Sequence, residues 1–414
     1  MASDTPAHTK PRLWIASELY YPEETSTGYF MTKLAEGLVS DFDVRVISGR
    51  PSYSERSVPV ASSEVRNGVR IRRMASTRFD KDNVLLKLIN QTLFSTSAFV
   101  FGLLHFRQND VLLTVTNPPT LPIALVVPAR LRRVNSVLLL HDVYPQVLIA
   151  AGMLKPTGTI YRLLEVFFRK IYQSFRTIIV VGRDMEEVVR SMIGDNGPHI
   201  AMITNWGDTD EIVPLDPAQN EFRREHGLLG KTVIQFSGNI GRTHDVVTIL
   251  DAAEDLVDRP NVQFLFVGYG GKVEFIRSEI ARRGIQNVTL LKRQPRSRLN
   301  EMLCASDATL ITLVDNMFGL SVPSRMYNVM SAGVPIIAIA DPRSELCLTV
   351  AEADCGWIVD EDVRKTLGNI VCLLDAPDGR SEGQRKGKNG RIAVCRKYTF
   401  YNILAKFKSE LISL

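Results

Sequence analysis

Short apolar runs alternate with amphipathic stretches along the whole chain. The first of them predict a strand at residues 13–18, a loop at 20–28, a helix at 29–39 and a second strand at 43–48. Strands that alternate with helical segments are typical of parallel sheets with crossover helices. Further strands are predicted at residues 69–74, 111–116, 136–141, 177–181 and 199–203.

The same pattern begins again after a turn-rich stretch at residues 206–219. Strands are predicted at residues 232–237, 262–268, 289–291, 308–313 and 335–339, with helices at 245–256 and 272–283. The sequence therefore predicts an α/β protein of two doubly wound domains, residues 1–205 and 206–397, that face each other across a cleft. In such folds ligands bind at the carboxyl ends of the strands.

The last part of the chain predicts two further segments. Basic side chains lie among glycines at residues 380–397, which is interpreted as a solvated loop, with a basic anchoring patch as the alternative. Residues 398–414 place apolar side chains at helical spacing and predict a final helix that packs on the first domain.

Two regions are unusually apolar. A membrane-spanning helix needs roughly 20 predominantly apolar residues. Lys87, Asn90 and Gln91 interrupt the better candidate, residues 84–106, so no span is predicted. That segment is interpreted as a helix packed on the core, with the alternative that an exposed apolar edge enters a membrane surface. Residues 156–176 mix aromatic and basic side chains, which fits an interfacial helix or a buried helix with a solvated edge.

Composition narrows the choice of partners. The 414 residues are 45% apolar and 23% charged, an ordinary globular balance. A net charge of +5 is too small to indicate nucleic acid, and none is expected; it suits an anionic small substrate or membrane surface. The five cysteines show no CxxC spacing, and residues 1–12 lack a signal-peptide core, so a cytoplasmic protein with reduced thiols is expected. Nothing indicates an oligomeric state.

Glycine-containing turns follow two predicted strands of the second half and open into helices. Gly238 and Gly241 would let backbone N–H groups approach a ligand, and the helix start that follows attracts phosphate. Arg242 and His244 could add side-chain donors. Such turns are common, so a plain tight turn is the alternative here and at Gly268.

A third helix start lies within residues 318–335. Ser324 is expected to cap a helix that runs to Ala332, and Gly333 to end it. The Arg325 guanidinium would then stand at another anion-ready helix start. Three such starts without a P-loop lysine motif indicate a nucleoside diphosphate rather than ATP hydrolysis.

Several short motifs run the length of the chain. They are Tyr20-Tyr-Pro-Glu-Glu-Thr-Ser-Thr-Gly28, Ser48-Gly-Arg-Pro-Ser-Tyr53, Thr116-Asn-Pro-Pro119, His141-Asp-Val-Tyr-Pro145, Thr204-Asn-Trp-Gly-Asp208, Ser237-Gly-Asn-Ile-Gly241 and Val322-Pro-Ser-Arg-Met-Tyr-Asn-Val-Met-Ser-Ala-Gly-Val-Pro335. In their order and spacing the chain resembles family-4-type glycosyltransferases of the GT-B fold, especially bacterial ones that build O-antigen, capsule or exopolysaccharide on a lipid carrier.

The resemblance implies a retaining transferase of the GT-B fold. The second domain would hold a nucleotide-sugar donor, with UDP preferred and an N-acetylated sugar as a guess. The first domain would present a lipid-linked or saccharide acceptor on the inner face of the cytoplasmic membrane. No metal or other cofactor is expected, because arginine, histidine and helix dipoles can stabilise the leaving diphosphate.

Site residues follow from these motifs. The predicted donor-binding residues are Gly28, Gly238, Asn239, Gly241, Arg242, His244, Gly268, Arg293, Ser324, Arg325 and Asn328. Asn328 stands where the family often has a glutamate, and Asn239 and His244 stand where it usually has arginine and lysine. Leu320 occupies the spacing of another family glutamate.

Catalytic candidates come from the first domain. Asp142, with His141 before it, ends a hydrophobic strand at the cleft and is the best base or orienting group; the alternative is that Asp142 caps the next segment. Glu23 is expected either to touch the acceptor or to be a solvated loop residue. The competing functions are a nucleotide-sugar epimerase, a soluble disaccharide synthase, or an inactive scaffold on the same fold.

Overall fold

Eight strands of the first half form one sheet. The computed structural model describes residues 10–51, 59–75, 84–241 and 243–414, so Arg242 lies outside the described residues. The strands are β1 Arg12–Ser17, β2 Asp43–Ser48, β3 Ser63–Arg66, β4 Val69–Arg73, β5 Val111–Val115, β6 Asn135–Leu139, β7 Thr177–Val180 and β8 His199–Met202. Their order is β3-β4-β2-β1-β5-β6-β7-β8, and all neighbours are parallel except β3 and β4. The short edge strand β3 was not predicted.

Helices cover both faces of this sheet. They are α1 Ser26–Gly37, α2 Val84–His105, α3 Thr120–Leu131, α4 Gln146–Ala150, α5 Thr159–Tyr172 and α6 Arg183–Ile193. Every residue of β5 and β7 is buried, as expected for parallel strands with helices on both sides.

The second half forms a parallel sheet of six strands in the order β11-β10-β9-β12-β13-β14. These are β9 Thr232–Asn239, β10 Val262–Tyr269, β11 Val288–Lys292, β12 Ala308–Thr312, β13 Ile336–Ile339 and β14 Gly356–Val359, the last not predicted. The helices are α7 Glu221–Glu225, α8 Val247–Asp255, α9 Val273–Arg283, α10 Leu299–Leu303, α11 Arg325–Ser331, α12 Glu345–Ala353, α13 Val363–Asp375, α14 Pro377–Lys397 and α15 Phe400–Ile412. The prediction of two doubly wound α/β sheets is confirmed.

The expected solvated loop at 380–397 is wrong, because this segment is helix α14. Gly379, Gly383, Gly387 and Gly390 are buried at intervals of one helical turn, so they form a smooth face. A Cβ on Gly387 would lie 1.9 Å from the Gly333 carbonyl oxygen, which shows how closely that face approaches the turn after α11. Tertiary packing outweighs the poor helix propensity of glycine here.

The last helix returns to the first domain, as predicted. Ile403, Phe407 and Leu411 of α15 are buried. Leu404 lies so close to α1 that a Cβ on Gly37 would meet it at 2.8 Å. Lys408 pairs with Asp41 at 2.5 Å.

Three helices on one side of the first sheet expose large apolar side chains. Right-handed crossovers place α2, α3 and α5 on the same side, and α3 packs against both α2 and α5. Phe94 and Ala98 of α2 are buried in the core, as the core-packing interpretation expects. The exposed set, here called the apolar face, is Leu88, Ile89, Leu93, Val100, Leu104, Val127, Leu131, Ile160, Leu163, Val166 and Phe167. Arg162, Arg169 and Lys170 of α5 are exposed beside it.

None of the helices in the described ranges is both long enough and apolar enough to cross a membrane.

Candidate active site

A cleft of about 460 Å³ lies between the two domains. The carboxyl ends of β9 and β10 form one wall, and the start of α1 with the segment after β6 forms the other. Of the predicted site residues, those that line the cleft are Asp142, Gly238, Asn239, His244, Gly268, Arg293, Ser324, Arg325 and Asn328. Gly28, Glu23, His141 and Gly241 are described but lie outside this lining.

The glycine turns bring two backbones very close together. Gly268 pairs with Gly238 in the parallel ladder, and a Cβ on Gly268 would lie 1.9 Å from the Gly238 carbonyl oxygen. Gly238 has a φ of +123°, a conformation that side chains disfavour. The two glycines therefore place no side chain of their own in this part of the cleft, here called the floor.

Arg325 enters this floor from the start of α11. Its Nη1 donates to the Ser237 carbonyl oxygen at 2.7 Å, and the guanidinium carbon lies 4.4 Å from the centroid of the Phe236 ring. Nε and Nη2 are buried and have no hydrogen-bond partner among the described residues. Burial lowers the pKa of Arg325 to about 10, so it remains charged at neutral pH. A buried guanidinium with unused N–H groups is suited to an anion.

His244 cannot act as the donor that its position suggests. Its Nδ1 lies 2.7 Å from the Thr312 carbonyl oxygen, which can only accept, so Nδ1 carries the proton. Burial and the neighbouring Arg325 lower the pKa of His244 to about 3. The ring is therefore neutral at pH 7 and offers Nε2 as an acceptor. The expected side-chain donor at His244 is corrected to an acceptor, because its N–H is already used by Thr312.

Two helix starts meet across the cleft. Ser324 occupies the N-cap position of α11, but its backbone is already helical and its side chain makes no capping hydrogen bond. The Ser324 hydroxyl instead lies 3.0 Å from the hydroxyl of Ser26, at the start of α1. The predicted cap is corrected to a contact between domains.

The first domain contributes Asp142 and His141 from the end of β6. The backbone N–H groups of both residues donate to Thr116 Oγ1, at 3.1 and 3.2 Å. Asp142 lines the cleft and bridges Ser321 of the second domain through its backbone. His141 does not line the cleft. Burial lowers the pKa of its ring to about 4, and its Nδ1 finds no hydrogen-bond partner in the part of the chain that the structure describes.

The loop before α1 places its acidic residues differently from the expectation. Glu23 is only 3% exposed, so the solvated-loop interpretation is wrong for it, whereas Glu24 is exposed and lines the cleft. Gly28 is packed inside the first turn of α1, where a Cβ would meet the Glu23 carbonyl oxygen at 2.6 Å. Ser26 and Tyr29 reach the cleft in its place.

Asp208 and Arg296 form a network that the sequence did not predict. Arg296 donates to the Asp208 carboxylate, and its guanidinium carbon lies 3.2 Å from the centroid of the Tyr29 ring. Tyr29 donates to Asp208 Oδ1 at 3.1 Å. Asn328 accepts from the Asp208 backbone N–H at 3.1 Å. Asp208 ends the motif at residues 204–208. No motif of the sequence contains Arg296, which reaches the cleft from the segment after β11.

Arg293 links the domains directly. Its Nη2 donates to the Glu24 carbonyl oxygen at 2.6 Å, and its guanidinium carbon lies 5.7 Å from the centroid of the Tyr269 ring. Within the described residues, no three His, Cys, Asp or Glu side chains cluster as a metal site would require.

Two doubly wound domains that face each other across a ligand-sized cleft form the GT-B fold. Residues 218–379 match the family described as "Glycosyl transferases group 1". The chain is 31% identical over 402 residues to "Probable glycosyltransferase WbjE" of Pseudomonas aeruginosa, covering 96% of each chain. It belongs to the group 1 glycosyltransferase family.

Two further proteins are similar to this chain over most of its length. "Putative colanic acid biosynthesis glycosyl transferase WcaI" of Escherichia coli K12 is 23% identical, over 79% of this chain and 83% of the relative. The crystal structure of Anabaena Alr3699/HepE in complex with UDP-glucose superposes with a TM-score of 0.73 at 12% identity. That comparison covers 97% of this chain and 100% of the other, and it supports the GT-B fold.

Proposed function

We propose that this protein transfers a sugar from a UDP-linked donor to a lipid-linked saccharide acceptor during polysaccharide assembly. The reaction retains the configuration of the transferred sugar and needs no metal ion. The description of WcaI as a colanic acid biosynthesis glycosyl transferase supports a role in polysaccharide assembly, and the UDP-glucose bound to Anabaena HepE supports the nucleotide. A panel of UDP-linked sugars with and without an N-acetyl group tests which sugar is transferred.

The unpartnered N–H groups of Arg325 carry the proposal. In this position they would hold the diphosphate of the donor above Gly238 and Gly268, where no side chain intrudes. Negative charge builds on the diphosphate as the bond to the sugar breaks, and fixed N–H groups stabilise it without reorganisation. Neutral His244 presents Nε2 to a hydroxyl of the donor.

Asp142 faces the donor wall from the first domain. We assign to it the orientation of the acceptor hydroxyl or the removal of its proton. In a front-face displacement the leaving phosphate can itself accept that proton, so orientation alone would suffice.

The apolar face supports a membrane-bound acceptor. An enzyme for a soluble disaccharide or an epimerase would gain nothing from leucine and phenylalanine side chains exposed on three adjacent helices. Basic residues of α5 beside them suit the anionic inner face of the cytoplasmic membrane.

The first test combines binding and transfer. Melting temperatures are measured with UDP, GDP, ADP and CDP, and sugar transfer is then assayed with donors of the base that stabilises most. Arg325→Ala should lower transfer by about tenfold or more and weaken nucleotide binding, because it removes a charged donor from the diphosphate. Arg364→Ala removes an exposed arginine of α13 that pairs with Asp255 and should leave both unchanged. The proposal fails if no nucleoside diphosphate binds, or if Arg325→Ala behaves like Arg364→Ala.

A further inference from the structure

Residues 317–324, here called loop 317–324, lead from β12 to Arg325 but are held by the first domain. The backbone N–H of Val143 donates to the Leu320 carbonyl oxygen at 2.9 Å. One residue further on, Ser321 bridges Asp142. The loop that delivers the phosphate-binding arginine is therefore attached to the segment that carries the catalytic candidate.

A second attachment lies at the start of α6, outside the cleft lining. The backbone N–H of Gly319 donates to Asp184 Oδ2 at 3.3 Å. Gly319 has a φ of +68°, and a Cβ there would lie 2.4 Å from Val188 Cγ2 and 2.5 Å from the Asp184 carbonyl oxygen. Only glycine allows the loop to press so closely on α6.

The chemistry of Asp184 fits this attachment. The side chain is buried, with 4% of its surface exposed, and Oδ1 accepts from the Met185 backbone N–H at 2.8 Å. Asp184 also accepts a hydrogen bond from the Glu345 backbone N–H, so its two carboxylate oxygens serve three N–H groups. An asparagine could supply only one acceptor oxygen, so its NH₂ group would face at least one of these donors.

We propose that Asp184 is a positioning residue for sugar transfer. By holding Gly319 it fixes loop 317–324, and through the loop it sets Arg325 and Asp142 in register across the cleft. The inference rests on the proposed function and extends it to a residue that lines no part of the cleft.

Asp184→Asn tests the inference, with Glu187→Gln on the exposed side of the same helix as the matched control. Asp184→Asn should lower kcat for transfer by about tenfold, because misplacing reacting groups by about 1 Å costs up to a hundredfold. The Kd for UDP should change by a smaller factor than kcat, because the hydrogen bond to Ser237 still holds Arg325 within the second domain, whereas its register with Asp142 depends on the loop. Glu187→Gln should match the wild type in both.

Hydrogen exchange gives a readout that does not depend on activity. In the full-length wild type the Gly319 amide should be protected, and in Asp184→Asn its protection should fall while that of β9 is kept. Gly319→Ala alters the same contact from the second domain and should lower kcat by a similar factor. The double variant should be no slower than the slower single variant, because both break one junction.

The outcomes separate the two proposals. If the wild type transfers no sugar from any donor, the proposed function fails and the positioning role fails with it, whatever hydrogen exchange shows. If the wild type is active but Asp184→Asn keeps its kcat, or loses UDP affinity by the same factor as kcat, the proposed function stands and the positioning role is wrong.

Discussion

Arg325 and His244 share one edge of the second sheet but have opposite charge behaviour. Burial lowers the pKa of both groups. The guanidinium starts so far above neutral pH that it stays charged, whereas the imidazole becomes neutral. The cleft floor therefore holds one fixed positive charge beside one neutral acceptor, which suits a phosphate next to a sugar hydroxyl.

Asp142 gives the first prediction at this scale. Asp142→Asn keeps the size of the side chain and removes its charge, so transfer should fall by about tenfold or more. The Kd for UDP should change by less than about twofold, because Arg325 is untouched. Steady-state kinetics and calorimetry measure the two quantities. Asp258→Asn, an exposed change of the same kind, is the control, and an Asp142→Asn enzyme with the wild-type rate would exclude this residue from the reaction.

His244 makes stability depend on pH. Its pKa is about 3 in the folded protein and about 6.5 in an unfolded chain, so below pH 6.5 the unfolded state binds the proton more readily. Its contribution to the free energy of unfolding is therefore complete above pH 6.5 and falls towards pH 3, by about 1 kcal/mol per pH unit.

Melting temperatures between pH 7 and pH 5 check this dependence. His244→Asn, which can keep the hydrogen bond to Thr312, should flatten the fall, whereas exposed His199→Asn should not. An unchanged slope in His244→Asn would show that His244 is not buried in its neutral form.

At the scale of elements, helix α14 shows why composition misled the prediction. Its glycines and basic residues suggest a solvated loop, yet four of the glycines are buried, Gly387 against Gly333 and Pro335. Most of the basic residues are exposed. Two of them face inward. Lys386 is buried and pairs with Asp354 at 2.6 Å, and Arg391 donates to the carbonyl oxygens of Thr209, Ile212 and Ser331. The sequence of α14 alone cannot show that glycine is required at Gly387 because the backbone of Gly333 packs against it.

Two glycine-to-alanine substitutions distinguish the effect of close backbone packing from that of helix propensity. Gly387→Ala places a Cβ 1.9 Å from the Gly333 carbonyl oxygen and should lower the free energy of unfolding by about 2–3 kcal/mol. Gly368→Ala lies within α13, where a Cβ meets nothing within 4 Å, and should raise it by about 0.5–1 kcal/mol. Denaturant titration measures both. Equal effects would contradict the close packing of α14.

At the scale of the whole molecule, the sequence predicted those features that neighbouring residues determine, which are the strands and the glycine turns. Apolar runs located most of the strands, and glycines after strands located Gly238 and Gly268. The Asp208–Arg296–Tyr29 network could not be predicted, because its members lie far apart in the chain and Tyr29 belongs to the other domain. Asp184 and Gly319 were missed for the same reason. A short motif lies within one domain, so it cannot predict which residues of the other domain it will contact.

The apolar face gives the last prediction, because membrane contact concerns the molecule as one body. Leu163 and Phe167 are 68% and 42% exposed, and burying such a side chain is worth about 1.5–3 kcal/mol. The wild type should float weakly with vesicles of phosphatidylcholine and phosphatidylglycerol at low salt. It should float less with phosphatidylcholine alone and less at high salt, since screening weakens the attraction of the basic residues.

Variants on the two domains isolate this surface. Leu163→Glu and Phe167→Glu should each reduce flotation, whereas Leu229→Glu, at an exposed leucine of the second domain, should not. Transfer to a soluble acceptor fragment should be unaffected by Leu163→Glu, because the cleft is unchanged, and transfer to the lipid-linked acceptor in vesicles should fall. Wild-type protein that stays entirely at the bottom of the gradient at low salt would exclude the apolar face as a membrane-binding surface. The acceptor would then have to reach Asp142 from solution.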